Sequence, residues 1–341
     1  MTTAVSPLQP LGMGQLLDRA IRLYRQNFLT FIGIVAITQI PTALFSIFLS
    51  LAFAQPNTFL NPNASPQAIL GLFGTTFFTV IVSAILTQIA TGALTVAVSN
   101  RYLGEKVGVL EAYRRLKDAW KPLLGALVVA FLVGVGLLVW TIVPCIGWFT
   151  GGGMMTFFGL VVMPLVAPVV VLEKQSSSRA VFRAWQLARR RFWWLLGFLL
   201  LLTLFGQLFV TGPALLTIFL IGGASTFGQV GDITAVILQQ TVSVLFSMLY
   251  LPIQLTAVTL LYFDVRVRTE GFDLALLAKG DEAITDITDL TVPPKGEAAP
   301  SPTPTSTELG YFAMMSIGFF VIYIALVAIL FAIGFAISGL G

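Results

Sequence analysis

Residues 183–200 read RAWQLARRRFWWLLGFLL, a basic segment that passes directly into an apolar run. Counting back from Gly197, an aromatic stands five residues earlier (Phe192), a cation eight earlier (Arg189) and an alanine thirteen earlier (Ala184). The same offsets precede Gly125, with Trp120, Lys117 and Ala112, and Gly33, with Phe28, Arg25 and Ala20. A pattern used three times at unequal separation fits divergent repeats packed in one bundle better than a strict solenoid.

The rest of the chain has the composition such units need. Of its 341 residues 57% are hydrophobic and 10% charged, more apolar surface than a water-soluble fold can hide. Uncharged runs near 28–53, 70–98, 123–143, 149–172, 193–221 and 233–263, and a seventh at 311–340, all reach the roughly 20 residues that cross a bilayer. All 19 Lys and Arg lie before the first run, between the second and third, between the fourth and fifth, or after the sixth. The opposite loops, 54–67, 144–150 and 222–232, carry only Asp232. The positive-inside rule then places the amino terminus and every basic segment in the cytoplasm, and the carboxyl terminus outside. The first run follows 27 mostly polar residues and is too long for the core of a cleaved signal. The expected fold is an all-α, polytopic integral membrane bundle. Residues 1–278 form a six-helix core of three hairpins with basic amphipathic interfacial helices, 279–309 an acidic, proline-rich cytoplasmic linker, and 310–341 a seventh transmembrane helix. The expected location is a membrane, with the amino terminus on its cytoplasmic side.

Each basic segment has a helical stripe: Leu17, Ile21, Tyr24, Phe28; Val109, Tyr113, Leu116, Trp120; and Val181, Trp185, Ala188, Phe192. The other face of the first carries Gln15, Arg19, Arg22 and Gln26, and that of the third Arg179, Arg183, Gln186 and Arg190. Aromatics on one side and arginines on the other suit a helix lying in the inner interface. The candidate lipid head-group contacts are therefore Arg19, Arg22, Arg25, Arg114, Arg115, Lys117, Arg183, Arg189, Arg190 and Arg191. The plainer alternative is an ordinary positive flank whose side chains snorkel.

Inside the runs there is no Asp, Glu, Lys or Arg, which lowers the expectation of ion-coupled transport or proton pumping. The intramembrane amides Gln39, Gln88, Gln207, Gln239, Gln240 and Gln254 read first as interhelical bonds. With the mid-run prolines Pro41, Pro164, Pro168, Pro213 and Pro252 they also admit a transporter or channel for a small or lipid-like molecule. Gly151-Gly152-Gly153 reads as a close helix approach or a tight turn, and Gly318, Gly334 and Ser338 offer the seventh run a close contact. After the sixth run Asp264 and Arg268, and Arg266 and Glu270, stand four apart, a cytoplasmic ion-pair motif on a helix that Gly271 stops.

The segments Leu17–Phe28, Arg183–Trp194 and Tyr262–Leu274 together resemble the membrane domain associated with bacterial glycerophosphodiester phosphodiesterases, over about residues 11–278. The resemblance implies a six-helix membrane module, found alone or fused to a soluble phosphodiesterase barrel. It also implies that the phosphodiester chemistry, with its histidines and metal-binding carboxylates, belongs to that barrel. This chain has no histidine and no extramembrane stretch long enough for a barrel of about 250 residues. The expectation is a non-enzyme with no catalytic residues, no metal and no cofactor. Its expected partners are membrane lipids, with a membrane or cytoplasmic protein second, and not nucleic acid.

Overall fold

The computed structural model describes residues 11–53, 65–102, 105–224, 232–271 and 303–338. Every regular element among them is helical: α1 (Met13–Gln26), α2 (Phe28–Phe53), α3 (Pro66–Tyr102), α4 (Val109–Arg115) with a 3₁₀ turn (Leu116–Asp118), α5 (Trp120–Trp140), α6 (Ile146–Phe157), a π-helical turn (Phe158–Val162), α7 (Met163–Leu172), α8 (Ser177–Arg190), α9 (Phe192–Ala224), α10 (Asp232–Glu270) and α11 (Ser306–Ser338). Among the described residues six stretches are long and apolar enough to cross a membrane: Phe28–Leu49, Ile69–Arg101, Trp120–Trp140, Ile146–Leu172, Phe192–Thr217 and Ile237–Glu270. The chain is thus a multi-pass helical membrane protein. Most of the 279–309 linker lies outside the described residues, as do the surroundings of Gly334 and Ser338.

The repeat becomes a junction. α1 ends one residue before α2, at Asn27 (φ −128°); the 3₁₀ turn ends before α5 at Ala119 (φ −98°); α8 ends before α9 at Arg191 (φ −136°). The aromatic five residues ahead of each glycine, Phe28, Trp120 or Phe192, is therefore the first residue of a long helix. The glycine itself is where the next repeat arrives. A Cβ built on Gly33 would stand 3.0 Å from Val109, the first residue of α4, and one on Gly125 2.3 Å from Ser177 Oγ, at the start of α8. One on Gly197 would stand 3.9 Å from Met13, the start of α1, so the third repeat leads back to the first.

Helix packing follows that cyclic order. α4 lies on α3, α8 on α7 and α1 on α10, while α3, α7 and α10 touch one another pairwise. α2 packs on α3 and α10, α5 on α3 and α7, and α9 on α10. The core sits at the basic end, where Ala93, Leu94, Val98, Val166, Val170, Leu172, Ala257 and Leu261 are buried. Lipid tails are as apolar as these side chains, so close van der Waals fit rather than removal from water holds the helices together. Thr91, Thr95, Thr256 and Thr259 at this centre donate to carbonyls one turn back in their own helices, at 2.6–2.9 Å.

On the first two amphipathic segments the buried face differs in part from the expected stripe. Leu16, Ala20 and Tyr24 of α1 are buried while Ile21 and Phe28 are exposed; Ala112 and Leu116 are buried while Trp120 is exposed. The small alanine of the repeat, Ala20, Ala112 or Ala184, is fully buried in all three. In a bilayer the bulkier apolar residues can face lipid, and small ones go where backbones approach. The third segment keeps its expected stripe, with Val181, Ala188 and Phe192 buried and Trp185 partly buried, and it also buries the polar Gln186 and Arg189.

α11 docks along α6. A Cβ on Gly153 would stand 2.0 Å from the Phe312 carbonyl oxygen, and Gly153 N–H donates to Ser316 Oγ at 2.6 Å. The close contact expected of Gly318 is not made, because nothing lies within 4 Å of a Cβ there. The short side instead belongs to α6, whose Gly153 lets the Phe312 backbone in. Directly beyond, the π turn precedes Pro164, and Pro164 and Pro168 lack the amide that an α-helix would use.

Candidate functional site: the basic end of the bundle

Five side chains from α7, α8 and α10 meet at the end of the core. Arg183 Nε donates to Glu173 Oε2 at 3.1 Å and its Nη2 to Glu270 Oε1 at 2.5 Å. Arg266 Nε donates to Glu270 Oε2 at 3.0 Å, and Tyr262 O–H to Glu173 Oε1 at 2.7 Å. Both carboxylates accept from more than one donor, which is what allows charges this buried to persist. Burial works against the charge of Arg183, but Glu173 and Glu270 outweigh it and raise its pKa above the ordinary guanidinium value.

A second pair ties the first helix to the last of the core. Arg268 Nε donates to Asp264 Oδ2 at 2.9 Å, Leu11 N–H donates to Asp264 Oδ1 at 2.7 Å, and Arg268 Nη2 donates to the Leu11 carbonyl at 2.7 Å. Gly271, at φ 61°, closes α10 with a bond from its N–H to the Val267 carbonyl, a left-handed cap that suits glycine.

The third cluster holds α11. Arg189 is paired with Glu308 through two nitrogens, one at 2.6 Å, and its Nη2 donates to the Thr303 carbonyl at 3.1 Å. Beside it Phe157 and Phe192 stack, Phe312 meets both edge-on, and Tyr311 lies 5.3 Å from both Phe192 and Trp193. Arg190 Nη1 donates to the Thr269 carbonyl at 3.0 Å, and Arg191 lies over the Trp194 ring at 5.1 Å.

The ten candidate head-group contacts thus divide. Arg183, Arg189, Arg190 and Arg191 are engaged within the protein. Arg115 pairs with Glu111 and Glu105, both at 2.9 Å, and Arg114 with Glu111 at 2.6 Å. Arg19 is half-buried on α1, whereas Arg22, Arg25 and Lys117 are exposed and make no ion pair with any described residue. Among the described residues no group of three or more His, Cys, Asp or Glu could hold a metal ion.

Glu173 and Glu308 escaped the sequence reading. Glu173 had a signal: it is the one acid between the fourth and fifth runs, among six cations. Glu308 had none, because its partner lies 119 residues away.

The cluster of Glu173, Arg183, Tyr262, Arg266 and Glu270 falls inside one recognisable region. Residues 148–283 match the family model of the membrane domain of glycerophosphoryl diester phosphodiesterase. This membrane-domain match takes in α6 to α10 and leaves α1, with the Leu17–Phe28 segment, outside it. It concerns a membrane domain and not a catalytic one. No curated protein and no solved structure gives a significant match.

Proposed function

We propose that this is a non-enzymatic protein of the bacterial cytoplasmic membrane, with its amino terminus in the cytoplasm. Three helical hairpins in cyclic order and a seventh span present a basic face to anionic lipid head groups, or through them to a partner protein. The observation that carries this reading is the division among the cations. Those turned inward are matched by Glu173, Glu270 and Glu308, whereas Arg22, Arg25 and Lys117 stand exposed without a described acidic partner. Cations so placed at a membrane surface attract anionic lipid.

Native mass spectrometry of the gently extracted full chain tests it. Anionic phospholipid should be retained in preference to zwitterionic phospholipid, and R22Q/R25Q/K117Q should lose that preference. Equal retention of the two lipid classes by the unaltered chain contradicts the reading.

The transport alternative has one observation behind it, the Gln88 Nε2 buried with no partner among the described residues. The other polar groups favour packing: Gln240 donates to Ser46 Oγ at 2.7 Å, joining α10 to α2, and the central threonines are satisfied within their own helices.

A further inference from the structure

Where α1 breaks into α2, the surface opens into a cavity of about 480 Å³, within the usual size range of small-ligand sites. Its walls are the end of α1, the first turn of α2, the end of α3 and the segment leading to α4. Arg25, Arg101 and Lys106 bring three positive charges to it, and no carboxylate lines it. The nearest acid in sequence, Glu105, is drawn off to Arg115 at 2.9 Å. None of the three cations forms an ion pair with a described residue. The same wall holds the first turn of the 26-residue α2, Phe28 to Thr30, whose N–H groups begin a helix and favour an anion. Phe28 and Leu29, 40% and 82% exposed, lead from the cavity onto the apolar surface of the span.

The third repeat shows what such a junction accepts. Arg25 and Arg189 hold the same place in the repeat, eight residues before the glycine, and Phe28 and Phe192 the same place five before it. At the third junction Arg189 binds the Glu308 carboxylate, and the apolar continuation of α11 lays Tyr311 and Phe312 against Phe192. An anion followed by an apolar tail is thus already seated on one copy of the motif.

We infer that the cavity formed by Arg25, Arg101 and Lys106 binds the phosphate of an anionic phospholipid, whose acyl chains run along Phe28 and Leu29. This rests on the proposed lipid-binding face and assigns one site on it. Three cations and the helix end supply charge-assisted hydrogen bonds to phosphate oxygens, and the flanking apolar surface favours a lipid over a water-soluble phosphate.

The test uses the full chain in detergent, with native mass spectrometry counting bound phosphatidylglycerol against phosphatidylcholine and against inorganic phosphate as competitor. R25Q/R101Q should weaken the most tightly held phosphatidylglycerol roughly tenfold or more, R22Q/K117Q should retain it, and R25K should hold it better than R25Q. Comparing the lipid-free melting temperatures of these variants separates loss of binding from loss of fold, with R25K and K106Q as milder variants. Retention by R25Q/R101Q together with loss in R22Q/K117Q overturns this site and leaves the lipid-binding face standing. Retention by every variant, or no preference for the anionic lipid in the unaltered chain, overturns both. Displacement of the lipid by millimolar inorganic phosphate overturns the lipid assignment in favour of a soluble phosphate at the same cations.

Discussion

Arg189 and Glu308 show how one residue pair sets the position of a whole helix. Burial acts to raise the Glu308 carboxyl, but the bond from Arg189, with those from Thr305, outweighs it and holds the group below the ordinary carboxylate range. Because the folded-state value is depressed, the pair's contribution is complete above the unfolded value near 4.5 and is lost as pH falls through the folded one. Glu308→Gln should lower stability at pH 7 by about 1–3 kcal/mol, the scale of a hydrogen bond to a charged group. Melting curves of the two proteins from pH 7 to pH 3.5 should converge at the acid end; a difference constant across that range contradicts the pairing. Arg183 differs, because it is shared between Glu173 and Glu270 and no single carboxylate replaces the other.

At the scale of the element, α11 is seated on α6 by a contact that a Cβ on Gly153 would block. A Cβ built on Gly152 lies 3.8 Å from Ser316 Cβ, the separation usual in a disulfide. In a C145S background, G152C/S316C should cross-link on mild oxidation. Adding Gly153→Leu should abolish the cross-link, since even a Cβ at that position meets the Phe312 backbone. Gly136→Ala, with nothing within 4 Å of its Cβ, should leave it intact and add roughly 0.5–1 kcal/mol of helix stability. Cross-linking that survives Gly153→Leu refutes the docking.

The six apolar runs were legible in the sequence because a span must be long and uncharged, although α3 and α10 continue past their runs to Tyr102 and Glu270. The junctions were legible too, as the recurring aromatic and glycine. The buried faces were not: hydrophobicity does not distinguish an exposed apolar side chain, such as Ile21, from one packed against protein, such as Leu16. Nor was the inward turn of Arg183 and Arg189, which depends on acids on α7, α10 and α11. The cavity was missed for a related reason, since Arg101 and Lys106 reach Arg25 only when α3 and α2 lie side by side.

Across the whole molecule, each amphipathic helix rests on the long helix that ends the preceding repeat, and the third repeat supports the first. The buried ion clusters and the amphipathic helices gather at one end, and Cys145, the one cysteine, is exposed in the turn between α5 and α6 at the other limit of its hairpin. With the basic end in the cytoplasm, as proposed, Cys145 belongs outside. The most direct test is to label that cysteine with a membrane-impermeant maleimide in intact spheroplasts and in inverted membrane vesicles. The account predicts labelling in spheroplasts and protection in inverted vesicles; labelling confined to inverted vesicles would contradict it.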